Sequence, residues 1–209
     1  MANYDPNSEE YSFDCLLPRG EEDGDWHDMH ELSVARRLCH NLNNGPSGPN
    51  IVEIHTDKEI CNQAIEISGD AYIKFQLPQH SIHRYLTMHL KNVEKFLQVD
   101  ITVIDEGTDG IPKKRIFKIS NKGSQSVISN EVNEEGEDIS VCKLPMSIKL
   151  GWQMCLLDLS ELCQNAFGTF RPNAESVTVH GSCFVSKIFF HKDIISDAEM
   201  PSHLRAVLI

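Results

Sequence analysis

The chain has 209 residues, 40% of them hydrophobic and 24% charged, with a net charge of -12. That length fits one core-forming domain with tails rather than two full domains. Its longest apolar runs, such as 151–157 and 183–190, fall well short of the roughly 20 residues that a membrane helix needs. The acidity is uneven: residues 1–32 hold ten acidic side chains against one basic, Arg19. The nearly neutral remainder lacks the broad basic face that phosphate binding requires, so neither nucleic acid nor membrane is expected as a partner. The opening residues 1–10 are polar and acidic where a secretory signal is basic and then apolar, which points to a cytoplasmic protein. Seven scattered cysteines, with no C-x-x-C pair, suit reduced and buried thiols rather than a zinc or redox centre.

In chain order, residues 1–25 show no sustained hydrophobic period and read as a disordered or loosely attached acidic arm. From Trp26 to Leu42 the apolar residues Met29, Leu32, Ala35, Cys39 and Leu42 recur at intervals of three and four. That spacing predicts a short amphipathic helix, ended by Asn43, Asn44, Gly45 and Pro46. From Ile51 onward the period changes to two. Ile73, Phe75 and Leu77 alternate with polar neighbours, as do Leu86, Met88 and Leu90, and Leu97, Val99, Ile101 and Val103. Further strands are expected at 64–67, 115–120, 152–158, 176–180 and 183–190. One helix interrupts them, with Leu159, Leu162, Cys163 and Ala166 on one stripe, Asp158 or Ser160 as N-cap and Gly168 as its stop. The polar, acidic run between Asn121 and Ser140 reads as a mobile loop. The expected fold is therefore all-β: a β-sandwich or jelly roll over 51–209 with one short capping helix, preceded by a partly helical N-terminal arm over 1–50.

Few groupings carry chemistry. His80 and His83 lack a third ligand nearby, and His180 and Cys183 in HGSC are explained by a sharp turn between two strands. The run DEGTDG, 105–110, resembles a calcium loop but has Ile116 where the bidentate Glu is needed. Asp158 and Glu161 sit where a helix start favours acidic residues. No catalytic set, metal site or cofactor site is expected. Trp152 starts a strand with two apolar faces and reads as core rather than as a sugar platform. The basic cluster Lys113, Lys114, Arg115 and Lys118 reads equally as a solvated strand edge and as a contact for an acidic partner.

Several segments together resemble the cilia- and flagella-associated protein 20 family. They are MHLKNVEKFLQVDITVIDE (88–106), KKRIFKISN (113–121), CKLPMSIKLGW (142–152), AFGTF (166–170), VHGSC (179–183) and the closing ISDAEMPSHL, in the family's order. Pro145, Met146, Gly151, Trp152, Gly168, Thr169, Cys183 and Pro201 are the motif positions with structural roles. The resemblance implies a non-enzymatic component of the ciliary or flagellar axoneme. It further implies a microtubule inner protein bridging tubulin protofilaments at or near the doublet inner junction, beside the Parkin co-regulated protein. Lys113, Lys114, Arg115, Lys118 and Arg171 are then the expected tubulin contacts. The chain departs from the family in its acidic opening, its sequence pI near 5.2 and its long acidic loop at 131–138, which marks it as a divergent paralogue. The alternative is a soluble interaction adaptor or a glycan-binding sandwich outside the axoneme.

Overall fold

Two long antiparallel strands organise the computed structural model, which describes residues 13–17, 50–107, 110–133 and 136–205. They are β5, Tyr85–Glu106, and β10, Asn173–His191. The shorter strands are β1, Phe13–Leu17; β2, Ile51–Asp57; β3, Asn62–Ser68; β4, Tyr72–Ser81; β6, Pro112–Ser120; β7, Val127–Val132; β8, Asp138–Pro145; and β9, Gly151–Asp158. A single helix among the described residues, α1, covers Leu159–Phe167, and a short 3-10 turn covers Ser202–Leu204.

β5 and β10 pair in two stretches with a break between them. Asn173–Gly181 lies against Leu97–Ile104, and Cys183–His191 lies against Tyr85–Asn92. On the first side of the break, β4 flanks β10, while β6, β8 and β7 follow β5 in that order. On the other side β10 carries β3 and β1, β3 carries β2, and β5 carries β9. One continuous sheet thus bends across its two longest strands and folds over into the two layers of a jelly-roll sandwich, the usual way a strand serves both layers.

The break is built from backbone. Gly181 adopts φ +91, and a Cβ on it would stand 2.2 Å from the Phe96 carbonyl oxygen. Opposite, Glu94 takes φ +57, its N–H donating to Asn92 Oδ1 at 2.9 Å. Gly181 therefore marks a bulge inside one strand, not the turn between two strands that sequence alone suggests. A second bulge between Val185 and Lys187 turns Ser186 and Lys187 to the same outer face.

Alternation sets the core. Register aligns Phe75, Val177, Ile101, Phe117 and Cys142 in one inward row, and Ile73, Val179, Val99, Ile119 and Leu144 in the next. Leu86, Met88, Leu90, Ile188 and Phe190 answer from the other half. Full burial of each large aliphatic side chain contributes about 1.5–3 kcal/mol. The expected helix is present with both caps: Asp158 accepts from the Glu161 N–H, and Gly168 closes it at φ +69. Its expected stripe faces the core, with Leu159 and Cys163 fully covered. Beyond β10 the chain crosses the outer face of the second half, where Ile195, Met200 and Leu204 bury Phe189.

Two expectations do not hold. Phe13–Leu17, inside the segment read as a loose arm, is a strand on β10. Val127–Val132, inside the expected mobile loop, is a strand on β8. The helix expected at 26–42 lies outside the described residues.

Candidate interaction surface

Strand alternation splits the basic cluster of β6. Arg115, Phe117 and Ile119 are buried, whereas Lys114, Ile116 and Lys118 turn outward and Lys113 shares the Arg115 side. Arg115 is 8% exposed and cannot serve as a surface contact. It pairs with Asp105 at 3.2 Å, donates to Ser140 Oγ at 2.6 Å, and lies over the Phe167 ring at 4.5 Å.

The outward lysines join others that linear proximity does not reveal. Register sets Lys118 between Asp100 and Lys143, and Asp100 beside Thr178, whose neighbour on β4 is Lys74. The resulting row is Lys74, Thr178, Asp100, Lys118 and Lys143, with Lys114 close by on the same face. Asp100 is held by its neighbours: His180 Nε2 lies 3.1 Å from Oδ2, and Gln98 donates to Oδ1 at 2.7 Å. Lys143 meets Glu131 at 3.7 Å and Lys114 meets Glu175 at 3.4 Å. Among the described residues Lys74 and Lys118 form no salt bridge, so their charges face outward uncompensated by a direct partner.

Arg171 lies at one end of this layer. Thr169 is buried and its hydroxyl donates to Asp105, which anchors the backbone just before it. The chain then presents Phe170, 58% exposed, and Arg171, whose φ of +61 is strained for a non-glycine residue. Asn173 pairs with Ile104 and Glu106 with Pro112, which brings this segment to the same sheet end as exposed Ile111. Phe170 carries no hydrophobic period, so only its place in AFGTF singles it out in the sequence.

The remaining motif positions are architectural. Pro145 ends β8, and Met146 follows with its N–H on the Ser120 carbonyl at 2.7 Å. Gly151 begins β9 at φ +90, and Pro201 precedes the 3-10 turn. Cys183 is in the core, where burial pushes its thiol up to about 12. It sits across the bulge from His180, which points to Asp100, so the two form no nucleophile pair. Trp152 is half-buried and outside the core cluster, contrary to expectation: its ring lies 4.7 Å from that of His89 on the outer face of the second half. His83 approaches Asp14 at 3.6 Å, while His80 is exposed. In the DEGTDG run, whose Thr108 and Asp109 lie outside the described residues, the Gly110 N–H donates to the Gly107 carbonyl at 2.8 Å.

A groove of about 330 Å³ is lined by His55, Asp57, Glu59, Glu66, Lys91 and Phe184. Lys91 lies 3.0 Å from Asp57 and 2.6 Å from Glu59. Burial works against the Lys91 charge, but these two carboxylates raise its pKa above the ordinary lysine value. The groove therefore answers its own central charge. No group of His, Cys, Asp and Glu among the described residues could hold a metal ion, and no described helix is long and apolar enough to cross a membrane.

Comparison with known proteins places this geometry in a lineage. The chain is 25% identical over 161 residues to the cilia- and flagella-associated protein 20 of Chlamydomonas reinhardtii, covering 73% of this chain and 78% of that one. To the protein of the same name from Caenorhabditis elegans it is 24% identical over 161 residues, covering 73% of each. Among solved structures it is similar to a thermostable cellulase derived from the Cel12A cellulase of Rhodothermus marinus. That overlap has a TM-score of 0.43 and 11% identity, covering 72% of this chain and 90% of the cellulase. A likeness this loose bears on neither protein's activity. The CFA20 domain model matches residues 39–208, nearly the whole sandwich and every motif described above, and the chain belongs to the CFA20-domain family.

Proposed function

We propose that this protein is a non-catalytic structural component of ciliary and flagellar axonemes, a microtubule inner protein that bridges tubulin protofilaments at or near the doublet inner junction. The row of Lys74, Lys118 and Lys143 on the outer face of the first layer carries the reading. A broad sheet face on which Lys74 and Lys118 have no salt-bridge partner among the described residues and Lys143 meets only Glu131 at 3.7 Å suits an acidic protein lattice better than it suits a small ligand. Family membership and the cilia-associated names of the curated relatives support the location. Phe170 and Arg171, an aromatic and an arginine on a clamped backbone, have the composition of an interface anchor at the end of that face. Tubulin is the main partner in this scheme, with the Parkin co-regulated protein as a neighbour, and no turnover or cofactor is involved.

The test is extraction. Full-length tagged protein is expressed in ciliated cells, and isolated axonemes are washed with rising salt and detergent. Retention with the doublets, lost on Lys74→Glu with Lys118→Glu but kept on Lys113→Glu, is the expected outcome. Release of the wild-type chain into the soluble fraction overturns the proposal and favours a free adaptor.

A further inference from the structure

β7 ends the order of strands in the first layer: it pairs with β8 on one side and with no described strand on the other. Such an edge offers a line of backbone donors and acceptors to any extended chain, and proteins ordinarily blunt it with lysine, proline, a bulge or a cover. β7 has none of the first three. Its six residues, VISNEV, include neither Lys nor Pro, and its register with β8 runs from Val127 to Val132 without a shift. Val127, Ile128 and Val132 are each at least half exposed.

The other edges differ. β4 contains Pro78 and faces a register break in β10. On β2, His55 meets Glu53 and Glu66, and Asp57 meets Lys91. β9 is half-buried along most of its length.

We infer that β7 is a docking edge that accepts an extended segment of another protein as an added strand. The charge around it selects the occupant. Glu137 and Asp138, both exposed, flank the far end of β7 at the turn into β8, while Glu131 on the strand itself is already met by Lys143 at 3.7 Å. No basic side chain occurs between 123 and 142. The segment that fits alternates apolar and small polar residues along Val127–Val132 and carries Lys or Arg where it passes the turn. Backbone bonds then give affinity, and alternate side chains with terminal charge give selectivity.

Hydrogen exchange on the full-length protein tests this. The probes are a synthetic peptide of alternating Val and Thr with three lysines at one end, and its counterpart with three glutamates. Slowing of the 127–132 amides by about tenfold with the lysine peptide, absent with the glutamate peptide, is expected. Ile128→Lys should abolish the slowing, and Ile128→Thr, which keeps strand preference without adding charge, should retain it. No slowing, or equal slowing by both peptides, overturns the inference. So does protection already present without peptide together with a dimeric mass in sedimentation, which assigns the edge to a second copy.

Discussion

Arg115 and Asp105 meet at 3.2 Å across the β5–β6 pair, and the Asp105 side chain has no exposed surface. Thr169 donates to the same carboxylate, while Arg115 also reaches Ser140, whose hydroxyl donates to Asn130 Oδ1 at 3.0 Å. One ionic group thus ties β5, β6, β8, β7 and the segment after α1. It fixes the backbone from which Phe170 and Arg171 project, so its role is positional rather than in contact with a partner.

Removing one member of such a pair leaves a bare charge in the interior. Arg115→Leu should therefore cost about 3–5 kcal/mol, read as a lower urea midpoint with an unchanged slope. The double variant Arg115→Leu, Asp105→Leu should recover part of that loss, and Lys118→Ala should stay within about 0.5 kcal/mol of wild type. A near-neutral Arg115→Leu would show that the pair does not hold the fold.

These contrasts show where sequence was informative. Leu97, Val99, Ile101 and Val103 alternate because one face of β5 is buried and the other wet, and α1 was legible because its stripe and both caps are local. β7 was not, since an edge strand exposed on both faces has no alternation to read. β1 is only five residues long and sits in an acidic context. Within the basic cluster the burial of Arg115 was not legible, because adjacent strand residues face opposite ways and only pairing decides which face is covered; Lys74 and Lys143 reach Lys118 only through register. β5 continues across Glu94 because it pairs with β10 on both sides of the break, which no local signal encodes.

Gly181 should be the least replaceable glycine of the fold. Gly181→Ala forces a methyl against the Phe96 carbonyl at 2.2 Å in a backbone region that disfavours side chains. A loss above about 3 kcal/mol is expected. Gly136→Ala, at φ +82 with open space around it, should cost only about 1 kcal/mol. Comparable thermal shifts for the two variants would mean that the bulge relaxes and does not fix the bend between layers.

The thiols should divide by burial. Burial pushes Cys163 and Cys183 up to about 12, and Cys15 up to about 11. Cys61 lies exposed in the β2–β3 turn. Because the thiolate is the reacting form, iodoacetamide at pH 8 should label Cys61 in the native protein and reach Cys163 and Cys183 only after unfolding. Peptide mass mapping checks this, and rapid native labelling of Cys183 would revive a reactive-thiol reading of HGSC.

His89 gives the fold a pH dependence whose sign is fixed. Its Nδ1 lies 2.6 Å from Ser186 Oγ, and burial first, then the nearby Lys187 charge, lowers its pKa to about 4. In the unfolded chain a histidine titrates near 6.5. As pH falls the unfolded state takes the proton first, so the contribution is complete above about pH 6.5 and is lost progressively towards about pH 4, by at most about 3 kcal/mol. His191 is lowered by burial as well and acts in the same direction. Carboxylates change little above about pH 5, so the informative range is from there to neutrality. Urea unfolding across it should show wild type losing stability while His89→Gln, less stable at neutral pH, loses distinctly less. Parallel pH curves for the two proteins would mean that His89 takes up its proton in the folded state as readily as in the unfolded chain, and that the packing of Ser186 and Trp152 around it admits water.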